Sequence, residues 1–344
     1  MASVVTTTAW QGATDQVEAV EAQLNLPVHR EQWKYTRNSK VRALIEALPQ
    51  QASAETSSNS LSAAELTSLA PLASLTLHQV ASLGVIQVSG GILDMDEIDS
   101  SHGTGIVIEI ADHAEVVINE VKLHTNCQLR WLKLGEGAKV THNRNLFTDS
   151  QQWHYLHVDV PASAQYHLRN HSMGTDLHRQ DIQIDLTGPG AEVTLQAAAV
   201  VSRNAHLDQQ LRLQHKAPNT TSEQRINAIA LHAAKVTFGG RIHIHADCDG
   251  TDAQLNNRNL SLEPGAVINT KPELEIYSED VSCAHGATVG QISDAHRFYC
   301  LSRGIDPVLT EILLSRGFIS ETTDGELAED ALAAFNQAIG QAAT

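Results

Sequence analysis

The segment Val281 to Gly290 reads VSCAHGATVG, and in it Cys283 and His285 stand two residues apart. If the chain is extended there, both side chains project from the same side, so a sulfur and an imidazole become neighbours. Both are ligands for zinc or iron, but two donors are fewer than the four a closed tetrahedral site needs. Either another chain completes the set or the pair is ordinary strand packing, and the spacing leaves both open. A second concentration lies in HIHADCDG, where His243, His245 and Cys248 are accompanied by Asp247 and Asp249. That pattern equally describes a solvent-facing strand row running into an Asp-Gly turn.

Several chemistries are excluded or disfavoured. The chain has no G-x-x-x-x-G-K-[ST] loop and no strand followed by G-x-G-x-x-G, so it carries no recognised phosphate or dinucleotide cradle. Forty acidic against 23 basic residues give a net charge of −17, which repels a phosphate backbone, and nucleic acid is not an expected partner. The four cysteines, Cys127, Cys248, Cys283 and Cys300, form no C-x-x-C pair, so neither a zinc ribbon nor a disulfide framework is indicated. No stretch approaches the roughly 18 apolar residues of a membrane span. The segment before Leu26 holds Asp15, Glu18 and Glu21 and no basic residue, unlike a secretory or transit signal. The expectation is a soluble, cytoplasmic protein with free thiols.

The elements that must position these residues read as three regions. Residues 1–73 are expected to be helix and linker: DQVEAVEAQL from Asp15 and REQWKYTRNSKVRALIEAL from Arg30 have apolar residues at helical spacing, and QQASAETSSNS from Gln50 is small and polar. After about Leu75 the period becomes two, as in WHYLHVDV, RIHIHAD and ELEIY. A phrase built on Ala114, Ala138, Ala164, Ala191, Ala234 and Ala266 recurs at spacings of 24, 26, 27, 43 and 32, the 43 reading as two units of about 21. A turn, a small residue and a strand recurring at such intervals is the signature of a strand solenoid. The fold expected over 74–285 is a mainly β structure, a parallel β-helix; an antiparallel sandwich also has regularly spaced turns. Residues 286–344 are expected to form three helices: Ser293 or Asp294 to Gly304, a second around Val308, Leu309, Ile312 and Leu313 ending at Gly317, and a third opening at Asp324.

From His215 onward APNTTS, FGGRIHI, TDAQLNNRNLSL, PELEIYSEDVSCAHGATVG and FYCLSRGI occur in order, with REQWKYT near the start. Together they resemble the SufD family of iron–sulfur cluster assembly proteins, strongly over about residues 215 to 318. The resemblance implies a right-handed parallel β-helix flanked by helices, and a non-enzymatic subunit that pairs with its paralogue SufB and docks the ABC-type ATPase SufC. SufB has Q-C-D-S-L where this chain reads Gln254-Leu255-Asn256-Asn257-Arg258, and H-E-A-T where it reads His285-Gly286-Ala287-Thr288, so the chain is similar to SufD instead.

The resemblance also implies that His285, with Cys283, helps hold nascent iron or a cluster in the complex, the isolated chain holding no cofactor. It implies a docking surface on the C-terminal helices, here Phe298, Tyr299, Arg303, Val308, Leu309 and Ile312. Flavin is linked to such complexes, although no flavin motif is visible. An exposed end strand would pair two copies into a homodimer when SufB is missing. The alternatives are a self-contained metal-binding protein using His243, His245 and Cys248, or a β-helix enzyme acting on saccharides.

Overall fold

The computed structural model describes residues 3–8 and 83–342, apart from 97, 99–104, 122–126, 175 and 264. The helix and linker expected over 9–73, including REQWKYT, lie outside the described residues. Two sheets run the length of the molecule. One contains β1 (Ser3–Thr8), β2 (Leu83–Val88), β4 (Gly105–Ile110), β6 (Cys127–Lys133), β8 (Gln152–Val160), β10 (Leu177–Leu186), β12 (His206–His215), β14 (Lys235–Ile244) and β16 (Val267–Ile276). The other contains β3 (Gly91–Asp94), β5 (Glu115–Glu120), β7 (Lys139–Thr148), β9 (Gln165–Gly174), β11 (Glu192–Val201), β13 (Thr221–Ala230), β15 (Thr251–Ser261) and β17 (Val281–Gly290). We call them sheets A and B. The chain alternates between the two and every pairing is parallel except β1 on β2, so each coil lays one strand on each sheet. This is a parallel β-solenoid of about six turns, consistent with a right-handed β-helix. The first residues thus include a strand, where the sequence suggested helix and linker. The last strand runs to Gly290, past the expected boundary at 285.

Stacking in register explains why alternation with small branched residues suffices. In sheet A, Ile86, Ile108, Leu132, Val158, Ile184, Leu213 and Ile242 sit one above another, all at 0% exposure. Leu274 continues the ladder in the last coil and is only partly buried, because no strand stacks on it among the described residues. Each residue removes its neighbours' apolar surface from water, so the ladder is a continuous core needing few large rings. Gly240 fits the same logic: a Cβ there would lie 2.6 Å from Phe238 Cζ and 3.2 Å from Leu255 Cδ1.

The recurring alanines close the corners. The amide of each of Ala114, Ala138, Ala164, Ala191, Ala205 and Ala234 donates to the carbonyl three residues earlier, with left-handed backbone inside the turn, as at Gly137, Gly190 and His232. The first four lead into sheet B, but Ala205 and Ala234 lead into sheet A. The interval of 43 is therefore not two short units. It is the half coil from Ala191 to Ala205 followed by the full coil from Ala205 to Ala234, the same offset by which His206 stacks under Lys235.

Three helices follow: α1 (Asp294–Leu301), α2 (Pro307–Ile319) and α3 (Ala328–Ala342). Asp306 caps α2, its carboxylate accepting from the amides of Val308 (2.8 Å) and Leu309 (3.2 Å), with Pro307 in the first turn. The helix passes through Gly317 instead of ending there, and α3 opens at Ala328, one turn later than Asp324. Phe335, Ile339, Leu332 and Ile319 pack on Ala198, Val200 and Ile229 of sheet B. The packing is pinned by Asn145 donating to Leu327 O (3.1 Å), Asn227 donating to Phe318 O (2.9 Å) and Arg169 paired with Asp324 (2.7 Å).

The interior also carries buried histidines. Burial holds His178 down at about 3 and His171 and His215 down at about 4, because a charged imidazole loses its hydration there. These values lie below the ordinary 6.5, so on acidification the unfolded chain takes up protons first. The stability they allow is complete above about pH 6.5 and is lost as pH falls toward 4, each costing about 1.4 kcal/mol per pH unit. The urea midpoint should therefore fall steeply between pH 7 and 5, by on the order of 5 kcal/mol of unfolding free energy for the three together. Equal midpoints at the two values would show that these rings are not buried neutral.

Candidate functional site at the open end

Cys283 and His285 lie on β17, the edge strand of sheet B, and continue two inward-facing ladders. Cys283 follows Val116, Val140, Tyr166, Val193, Ser222 and Ala253. His285 follows Ile118, His142, Leu168, Leu195, Gln224 and Leu255. In earlier coils these positions are buried. At β17 they differ: Cys283 is half-buried and packs against the core, whereas His285 is exposed and makes no hydrogen bond or ion pair among the described residues. A core position is here filled by an imidazole and opened to solvent because no further coil covers it among the described residues.

The two groups are tuned differently. Burial, aided by the Asp252 carboxylate, raises the Cys283 thiol above its ordinary value, so the sulfur stays protonated near neutral pH. His285 borders a groove of about 720 Å³ at the open end of sheet B, lined by Gln224 and Leu255 of its own ladder and by Glu223, Arg225, Asn256, Arg258 and Glu321. Gly286 stands beside it, and a Cβ there would meet nothing within 4 Å. Where SufB was expected to have a glutamate, this chain leaves open space. Where it was expected to have a cysteine, Leu255 is 3% exposed and fills the core beneath His285.

The second concentration is not brought together. His243 and His245 stack on the outside of sheet A, ring centroids 4.1 Å apart and planes within 12°, with His243 Nδ1 3.3 Å from Glu275. Cys248 is on the inside: the chain turns at Asp247, φ +60°, and the thiol, 1% exposed, donates to His215 O at 3.3 Å. The turn separates the sulfur from the rings, which removes the three-donor metal site considered from sequence.

Of the expected docking residues, Phe298 is 72% and Tyr299 56% exposed, and Leu309 is exposed, as are Leu301 and Leu313. Arg303 lies over the Tyr299 ring at 3.5 Å. Val308 is half-buried, and Ile312 turns inward, 3.2 Å from where a Cβ on Gly340 of α3 would be. It holds the helices together and offers little to a partner. Arg297 joins α1 to α2 through a two-pronged pair with Glu311, 2.5 and 3.2 Å. No described helix is long and apolar enough to cross a membrane.

Comparison with known proteins agrees with this architecture. Residues 95–318 match the family model for the SufBD core domain of SUF-system iron–sulfur cluster assembly. The chain belongs to the SufBD family. It is similar to the iron-sulfur cluster assembly protein SufD of Escherichia coli, 27% identical over 238 residues covering 67% of this chain and 56% of that protein. It is 28% identical over 235 residues to a SufBD family protein of Synechocystis, covering 64% of this chain and 52% of the relative. A SufB of Bacillus subtilis is 29% identical over 138 residues, 40% of this chain and 30% of that one. The chain thus spans about half the length of the first two relatives.

If His285 is a ladder end without a core role, H285A should change the unfolding free energy by less than about 0.5 kcal/mol. Leu255→Ala, one coil below, should cost about 2–5 kcal/mol. Urea titration of both variants checks this. A comparable loss in H285A would mean the ring is part of the core.

Proposed function

We propose that this chain is a SufD-type, non-enzymatic subunit that pairs end to end with a SufB-type partner and helps form a site where iron and sulfur are assembled into clusters. The single observation that carries the reading is the pair of core ladders ending at an uncovered strand in a thiol and an imidazole. Two donors cannot enclose an ion, so the partner is the natural source of the others. Iron or a nascent cluster is cargo here: His285 offers a neutral nitrogen, and Cys283 becomes a ligand once deprotonated and uncovered. The substitutions Leu255 and Gly286 favour the SufD role over that of SufB.

A SufC-type ATPase would dock on the exposed apolar face of α1 and α2, which resembles an interface core in carrying Phe, Tyr and Leu with an adjacent Arg. Arg297 joins those two helices, and Asn227 and Arg169 tie the helical segment to sheet B, the sheet that ends in β17. Displacement of the helices therefore reaches the terminal coil through packed elements. Localisation in the cytoplasm follows from this reading.

Co-expression with a SufB-type partner and the ATPase, followed by size-exclusion chromatography and anaerobic cluster reconstitution, tests the proposal. H285A should co-elute with its partners yet lose the visible absorption of assembled cluster. Reconstitution at the wild-type rate would remove His285 from the role, and failure of the wild-type chain to co-elute would overturn the pairing.

A further inference from the structure

On the outer face of sheet A, away from Cys283 and His285, the in-register stack sets Asp159 directly beneath Asp185 in adjacent coils. His157, two residues before Asp159, projects from the same face. Like charges placed opposite one another are unfavourable unless a cation lies between them. One ligand atom from each of the three residues lies within 4.8 Å of the others.

The imidazole Nε2 is 3.5 Å from Asp159 Oδ1 and 3.4 Å from Asp185 Oδ2. A good N–H···O hydrogen bond is about 2.7–3.2 Å, and this nitrogen reaches neither oxygen at that range while facing both almost equally. Around an ion with ligand bonds of about 2.0–2.2 Å, neighbouring corners of a tetrahedron are about 3.3–3.6 Å apart. The two edges that meet at His157 fit this spacing, the third lies within 4.8 Å, and the contact to Asp185 serves as a long hydrogen bond while the site is empty.

The surroundings hold each donor in place. The Trp131 ring is parallel to His157 within 2°, centroids 5.4 Å apart, and its Nε1–H donates to Asp159 Oδ2 at 2.7 Å, leaving Oδ1 turned to the imidazole. Gln214 donates to Asp185 Oδ1 at 2.9 Å, leaving Oδ2 turned the same way, while Gln183 spans both oxygens at 3.2 and 3.3 Å. Such partners orient the ligands of real metal sites. His157 and Asp185 are 3% exposed, but Asp159 and Lys216 keep about a third of their side chains in solvent, which leaves an entry path. Lys216 Nζ, 2.8 Å from Asp185 Oδ2, is the cation beside this oxygen.

We propose that His157, Asp159 and Asp185 form a binding site for a divalent first-row transition-metal ion, with Lys216 as a displaceable cation that vacates the fourth position when metal enters. The donors, one nitrogen and two carboxylate oxygens, suit such ions and leave one position open. This goes beyond the assembly role and does not depend on it, since none of these residues lies on the terminal coil.

Titration of the purified full chain with Co²⁺, followed by its ligand-field absorption and by equilibrium dialysis, tests the site. One equivalent should be retained, and D159N should weaken it by about tenfold or more. Asp159 is partly exposed and asparagine keeps the oxygen that accepts from Trp131, so this variant should fold. Lys216→Met should tighten binding severalfold, because the competing ammonium is gone; a cluster held together only by hydrogen bonds gives no such gain. H285A should bind Co²⁺ like the wild type, which separates this site from the terminal one. No retained Co²⁺, or retention unchanged by D159N and K216M, or loss through H243N instead, would overturn the proposal.

Discussion

A parallel strand satisfies its backbone and covers its inward side chains only when a coil lies on each side of it. Every internal coil meets this condition, and the two end coils cannot. At the amino-terminal end β1 reverses direction and pairs with β2, closing that edge of sheet A. At the other end β16 and β17 close their sheets with no strand beyond them among the described residues, and the burial that is complete through the middle fades to half-buried and exposed. The family's chemistry, as proposed for this chain, belongs where this condition fails, since only there can a core-facing row reach another polypeptide.

The rule that makes the end special also explains what could be read from sequence. Alternation of apolar residues is a property of each strand and survives in the sequence, so the solenoid and its approximate extent were legible from WHYLHVDV, RIHIHAD and the recurring alanines. Register is a property of pairs of coils, and the coils differ in length: Glu115 stacks on Lys139, but Lys235 reaches its partner only at Val267. A variable offset hides which residues are stacked. It also hid the change of phase after Ala191, where the alanines pass from corners entering sheet B to corners entering sheet A. The helices were legible from the apolar spacing of Val308, Leu309, Ile312 and Leu313 and from the left-handed Gly304, whereas the Asp306 cap went unread and the helix ends were less clear because Gly317 sits inside α2 with open space around it.

The candidate sites divide along the same line. Cys283 and His285 are two apart on one strand, so their common side was visible, but their place at the end of two core ladders was not. His243, His245 and Cys248 are close in sequence and lie on opposite sides of the sheet, since one left-handed residue at Asp247 turns the sulfur inward. Asp159 and Asp185 are a whole coil apart along the chain and become neighbours only through the offset of β8 against β10. Proximity along a solenoid runs across coils, and short motifs report it poorly.

The contrast between Cys283 and His285 bears on how such an end could be controlled. His285 needs no rearrangement to present its nitrogen. Cys283 is packed against the core, and burial together with Asp252 favours the protonated thiol; making it a ligand requires loss of a proton and loss of cover. Both follow from one displacement of β17 relative to β15, which would bring water to the sulfur and lessen the desolvation that holds the thiol up. The helical segment is bound to sheet B at Asn145 on β7, Arg169 on β9, Asn227 on β13 and Arg258 on β15, which pairs with Glu321 and lies over the Phe318 ring. Of these β15 is the nearest to the open edge, paired directly with β17. A pull on α2 therefore acts close to the terminal pair of strands while the ladders below resist bending. On the proposed reading, a nucleotide-driven partner seated on the helices would govern the thiol and leave the imidazole available throughout.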